Sequence, residues 1–141
     1  AFDDRIDIQF SKGYAEMSIG SAVLFEVSDA RLLDRGTLLL KDVVGFLKET
    51  EGLIVVQGHT DSSPISSERY PSNWELASAR ANNVLHFLLA NGLERRRLRA
   101  VSFADTRPAL PNNSEANRRQ NRRVNIVLIS PAMSEMEYHN L

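Results

Sequence analysis

Residues 53–56 read Leu-Ile-Val-Val, an unbroken apolar run of strand length with a helix-period segment on either side. This juxtaposition constrains the fold more than any other feature. A strand apolar on both faces must be central in a sheet or covered on both sides. Amphipathic helices flanking it need that sheet to pack on. Upstream, Leu39, Val43, Phe46 and Leu47 recur at helical spacing, and Leu40 and Val44 widen the stripe. Asp34 is the expected cap of this helix, which runs to about Thr50, with Gly52 as its stop. Downstream, Ser72 and Glu75 have capping-box spacing. The serine is expected to accept from the N3 amide and the glutamate to reach back to the serine amide. Pro71 bars a helix arriving from upstream, and Asn91-Gly92 closes this one.

The remaining segments follow by periodicity. Arg5 to Phe10 alternates polar and apolar, Ser11-Lys12-Gly13 supplies a turn, and Tyr14 to Ile19 alternates again, which predicts a β-hairpin. Val23-Leu24-Phe25 reads as a short buried segment. Leu98 to Phe103 reads as a strand, Asp105 to Pro111 as a loop, Ser114 to about Gln120 as a short helix and Val124 to Ile129 as a last strand. The sum is an α/β two-layer sandwich: a mixed β-sheet with helices packed on one face, preceded by an N-terminal hairpin. Residues 1–22 form the hairpin extension, 23–130 the folded domain and 131–141 a polar, frayed tail.

Composition excludes several classes. The chain has no cysteine, so disulfides and thiolate metal sites are impossible. No apolar run approaches the roughly 18 residues that span a bilayer, and the first residues do not read as a signal peptide. Residues 1–70 carry 12 acidic and 7 basic side chains, whereas residues 71–141 carry 6 and 10. Such asymmetry marks either an anionic partner or two halves that neutralise each other in the fold. The clusters Arg95-Arg96-Arg97 with Arg99, and Arg118, Arg119, Arg122 and Arg123, lack interleaved aromatics, and the isoelectric point is near 6.4. Arg118 and Arg119 read as a solvated face, and no nucleic-acid partner is expected. Ser62 and Ser63 lack the glycines of a nucleophile elbow. His59-x-Asp61 is half a metal site without supporting ligands. Neither metal nor cofactor is expected, and His59 is assigned a structural hydrogen bond in the turn. Trp74 is expected to pack at the helix start rather than to stack on a sugar.

Thr60-Asp61 falls just beyond the carboxyl end of the strand that ends near Gly58, where such sheets bind ligands. Asn73, Ala77, Arg80 and Val84 fall on one face of the following helix, and its N-terminus adds free amides and partial positive charge. Spacing alone leaves two readings: Asp61 and Arg80 clamp a zwitterion, or they pair with each other.

Three motifs occur in order: Gly58-His59-Thr60-Asp61, Asn73-x-x-Leu76-x-x-x-Arg80-Ala81, and Asn121-Arg122-Arg123-Val124. Together they resemble the OmpA-like peptidoglycan-binding domain over roughly residues 23–130. The resemblance implies a non-enzymatic module in which Asp61 and Arg80 hold the diaminopimelate of the cell-wall stem peptide. It also implies that Thr60 and Asn73 contribute to the site and that Asn121 and Arg122 line or brace it. Tyr70-Pro71-Ser72-Asn73-Trp74-Glu75-Leu76 and Ala104-Asp105-Thr106-Arg107-Pro108 look like the periplasmic domain of flagellar motor stator B subunits. That likeness implies peptidoglycan and a second copy of the chain as partners. It also implies a stator A subunit, met through a transmembrane helix absent from this sequence, and a periplasmic location. The alternatives are the wall anchor of an outer-membrane porin or lipoprotein, or a wall hydrolase.

Overall fold

A computed structural model describes residues 5–141. Strand β1 (Ile6–Ser11) turns through Lys12 and Gly13 into β2 (Tyr14–Gly20), with Gly13 at φ +95° where a side chain would be strained. A short helix α1 (Ser21–Leu24) leads to α2 (Asp34–Lys48), β3 (Leu53–His59), α3 (Asn73–Ala90), β4 (Leu98–Ala104), α4 (Glu115–Asn121), β5 (Arg123–Ile129) and α5 (Glu135–His139). One five-stranded sheet runs β1-β2-β5-β3-β4. The pair β3–β4 is parallel, with α3 as its crossover, and the other three pairs are antiparallel. The sheet is therefore mixed, as the sequence predicts. The hairpin is not separate from it but supplies two of its five strands.

The apolar run behaves as its composition demands. Ile54, Val55 and Val56 are all fully buried. Ile54 and Val56 face α2 and α3, where they join Leu39, Val43, Leu47, Val84 and Leu88 in the main core. Val55 lies on the opposite face with Val127 and Ile129. Ala15, Met17 and Ile19 of β2 are buried through the alternation that defines a half-buried strand.

Several local expectations change. The cap of α2 is Leu33, which makes no side-chain bond, and Asp34 stands in the first turn, where its charge still suits the helix dipole. Val23 and Leu24 lie in α1, and Phe25 bridges Leu32 to close a loop. Ser72 caps α3 but accepts from Trp74 N rather than the N3 amide, and its hydroxyl donates to Glu75 Oε1 at 2.7 Å. The reciprocal box is not formed there. It forms instead at Ser134 and Glu137, at the start of α5. Residues 131–141, expected to fray, carry that helix. Tyr138 packs edge-on against Tyr14 at 5.0 Å and accepts from Gln57 Nε2 at 3.1 Å, so α5 covers part of the second face of the sheet.

Candidate functional site

Four elements deliver the site. The end of β3 supplies Thr60 and Asp61, and the start of α3 supplies Asn73 with Arg80 two turns on. The residue before β5 supplies Arg122, and the loop after α1 supplies residues 26–29. Register explains the convergence. Because β5 runs antiparallel to β3 with His59 opposite Arg123, Arg122 emerges beside Thr60 and Asp61. Close approach of α3 depends on Gly58, where any side chain would run into the backbone carbonyl of Ala77.

These elements enclose a cavity of about 380 Å³ whose lining includes Thr60, Asp61, Asn73, Arg80 and Arg122. Five of the six residues singled out in the sequence thus share one cavity. The sixth, Asn121, is completely buried behind it. Its Oδ1 accepts from the amides of Ala109 and Leu110 at 2.8 and 2.9 Å, and its Nδ2 donates to Leu110 O and Asn112 Oδ1. It braces the loop beside the site without lining it.

Asp61 and Arg80 do not pair with each other. Asp61 Oδ2 accepts from Arg122 Nη1 at 2.6 Å and its Oδ1 accepts from the amide of Ser63 at 2.9 Å. Arg122 also reaches Glu115 Oε1 at 2.7 Å through Nη2. Partial burial lowers the pKa of Arg122, but its bonds to Glu115 and Asp61 outweigh that and leave it raised. Arg80 is a buried cation on the packed side of α3. Its Nε donates to Asp29 O at 2.7 Å, its Nη2 reaches Glu26 O at 3.5 Å, and its guanidinium lies 5.0 Å from the centre of the Phe25 ring. Burial pushes its pKa down to about 10, so it remains a cation at neutral pH. Asn73 Nδ2 donates to Ser63 O at 3.0 Å, tying the loop after Asp61 to the helix. Thr60 Oγ1 donates to Asp61 O at 2.8 Å.

The loop 26–29 is what sequence reasoning missed. Glu26, Val27 and Ser28 line the cavity, and Ser28 adopts φ 55°, in the left-handed region. Asp29 Oδ1 accepts from Ala30 N, Tyr70 OH and Arg69, which together hold its carboxyl below the usual range. No periodicity marks such a loop. The only local signal was the acid pair Glu26 and Asp29.

His59 differs from expectation. It is buried, stacks on Phe103 with ring centres 5.2 Å apart, and neither ring nitrogen has a hydrogen-bond partner among the described residues. Burial, with Arg123 and Arg107 nearby, pushes its pKa down to about 3. Trp74, expected to pack, is 48% exposed. No group of three metal-ligating side chains occurs among the described residues, nor is any helix among them long and apolar enough to cross a membrane.

Residues 24–122, which span the β3–α3–β4 crossover and carry Thr60, Asp61, Asn73, Arg80 and Arg122, match the OmpA family; the chain belongs to that family. Among curated relatives, it is 43% identical over 108 residues to a Bacillus subtilis protein described as "Uncharacterized protein YtxE", covering 76% of this chain and 45% of the relative. It is 28% identical over 128 residues to Motility protein B of Helicobacter pylori strain J99, covering 89% and 50%. The chain therefore spans about half the length of these relatives. Among solved structures, the cell wall anchor of the T6SS from Pseudomonas aeruginosa superposes with TM-score 0.86 at 33% identity, covering 89% of this chain and 88% of that one. The periplasmic domain of Helicobacter pylori MotB superposes with TM-score 0.83 at 26% identity, covering 96% and 88%.

Proposed function

We propose that this chain is a periplasmic, non-enzymatic domain that anchors a flagellar motor stator to the cell wall by binding the diaminopimelate of the peptidoglycan stem peptide. The observation that carries this reading is the charge make-up of the cavity. Its lining includes the acids Glu26 and Asp61 and the arginines Arg80 and Arg122, so it offers both signs to a zwitterion. Diaminopimelate carries an ammonium and a carboxylate on one carbon. Asp61 takes the ammonium. A guanidinium has five N–H donors, and the bonds of Arg80 to Glu26 and Asp29 occupy two of them. The others serve the ligand carboxylate as a planar fork that lysine lacks. Arg122 shares Asp61 with the ligand and adds a second cation. Thr60 lines the same wall, Asn73 holds the loop that frames it, and Asn121 braces it from behind.

Family membership and the likeness to Motility protein B and to a cell wall anchor support attachment to peptidoglycan. The stator role rests on the motility relatives and on the Pro71-Ser72-Asn73-Trp74 stretch. Self-association follows from the same reading, and β1, an edge strand of the sheet, is the element proposed to mediate it. A stator A subunit is the further partner, through a membrane segment outside this sequence.

Sedimentation with purified sacculi tests the clamp. Asp61→Asn and Arg80→Lys are expected to remain in the supernatant while wild type pellets, and free diaminopimelate is expected to release the wild type. Equal pelleting of Asp61→Asn and wild type would falsify the assignment. Release of soluble fragments from sacculi would show a hydrolase instead.

A further inference from the structure

Trp74 is the only tryptophan in the chain, and it does not spend its indole in the core. It sits in the first turn of α3, directly after the cavity residue Asn73, and is half exposed. Ser78 and Asn82 follow it at intervals of four, so the three side chains form one stripe on the outer side of the helix. Arg69 and Tyr70 from the preceding loop, Glu75 and Ala79 of the helix, and Ser102 on edge strand β4 complete a shallow depression of about 480 Å³ around the indole. Ser102 Oγ donates to the Trp74 carbonyl at 3.0 Å, which fixes the helix start against β4.

The chemistry of this depression selects its occupant. The indole stands beside Tyr70 and Ala79 as an apolar floor, and the hydroxyl, amide and ionic groups of Ser78, Ser102, Asn82, Arg69 and Glu75 form a rim around it, a charged rim of the kind that protein–protein interface cores are depleted of. This arrangement suits a pyranose, whose one face is C–H and apolar while its rim carries hydroxyls and an acetamide. Indole offers a rigid apolar face at low entropic cost. Asn82, Ser78 and Arg69 offer hydrogen bonds to the rim.

We propose that the Trp74 depression is a second subsite, which takes an N-acetylated amino sugar of the glycan strand whose stem peptide enters the Asp61 cavity. This inference rests on the stem-peptide reading of that cavity. The two subsites meet at the Asn73–Trp74 step, with Asn73 turned to the cavity loop and Trp74 to the outer stripe. Binding both parts of one ligand makes the second contact intramolecular and raises affinity without changing the clamp.

A single-tryptophan chain reports on this subsite directly. Titration with tri-N-acetylchitotriose, which carries no peptide, is expected to shift the tryptophan emission saturably in the wild type and equally in Asp61→Asn. Trp74→Ala is expected to bind a soluble disaccharide-peptide roughly tenfold more weakly than wild type, yet to bind the free stem peptide unchanged. Trp74→Phe is expected to recover most of that loss. Unchanged emission at saturating chitotriose, together with equal affinity of wild type, Trp74→Ala and Trp74→Phe for the disaccharide-peptide, overturns the subsite. Failure of the clamp reads differently: Asp61→Asn would then bind the free stem peptide as well as wild type does, whatever the emission shows.

Discussion

Arg122 Nη1 stands 2.6 Å from Asp61 Oδ2, across 61 residues of chain. The Asp61 side chain keeps 9% of its exposure and that of Arg122 35%, so the bond is shielded on one side and wet on the other. Arg122→Ala leaves Asp61 with the Ser63 amide and loses a half-screened partner. The expected cost is about 1–2 kcal/mol, between the values for surface and buried pairs. The effect of Arg122→Ala combined with Asp61→Asn should fall short of additive by about 1 kcal/mol. Urea unfolding of the four proteins measures both, and additive losses would mean that the two side chains act independently.

Two glycines should respond in opposite directions. A Cβ on Gly58 meets the backbone carbonyl of Ala77, which cannot move aside as a flexible side chain would. Gly58→Ala is expected to cost about 3 kcal/mol and to push α3 off β3, weakening wall binding with it. At Gly45, inside α2, an added Cβ meets nothing within 4 Å. Gly45→Ala is expected to stabilise by about 0.5–1 kcal/mol. Denaturant midpoints separate the two.

His59 predicts a pH dependence. The unfolded histidine titrates near 6.5, whereas burial pushes the folded one down to about 3. Between these values the unfolded chain binds a proton that the folded chain refuses. The contribution of His59 is therefore fully present above pH 6.5 and is lost as pH falls toward 3, at up to about 1.4 kcal/mol per pH unit. His59→Phe keeps an aromatic ring against Phe103 and should flatten this slope between pH 6.5 and 5, where few carboxylates titrate. Identical slopes for the two proteins would contradict the buried, neutral state.

The Gln57–Tyr138 bond ties α5 to the second sheet face. Burial, first among its causes, raises the Tyr138 pKa above the ordinary phenol value. Tyr138→Phe keeps the ring contact with Tyr14 but leaves the Gln57 amide, on a buried residue, short of an acceptor. A loss of about 1 kcal/mol is expected. Amide exchange in α5 should quicken more than in α3, and uniform quickening would argue against a local tie.

The site was legible in the sequence where local rules govern. Asn73 and Arg80 lie on one helical face because 3.6 residues make a turn, and Ser72 caps the helix because its oxygen can reach a free amide there. Capping detail was less legible. The Ser72 hydroxyl chose Glu75 as acceptor, and the reciprocal box went to Ser134 and Glu137, where no strong periodicity called for a helix. The loop 26–29 had no pattern to read, since its conformation is held by Arg80, Arg69 and Tyr70, each more than 35 residues away.

The sequence by itself determined the order of the five strands and of the three longer helices, and the interior place of the 53–56 strand, because periodicity and capping are properties of neighbours along the chain; the five cavity residues were legible through the motifs that resemble the family's. Only the tertiary structure decided which arginine meets Asp61. That choice depends on the register that sets His59 of β3 opposite Arg123 of β5, and the register is selected by packing on both faces of the sheet. Tertiary packing likewise buried His59 against Phe103, left Trp74 in the open, and chose between the two readings that spacing alone left for Arg80 by holding it on the carbonyls of Asp29 and Glu26, apart from Asp61.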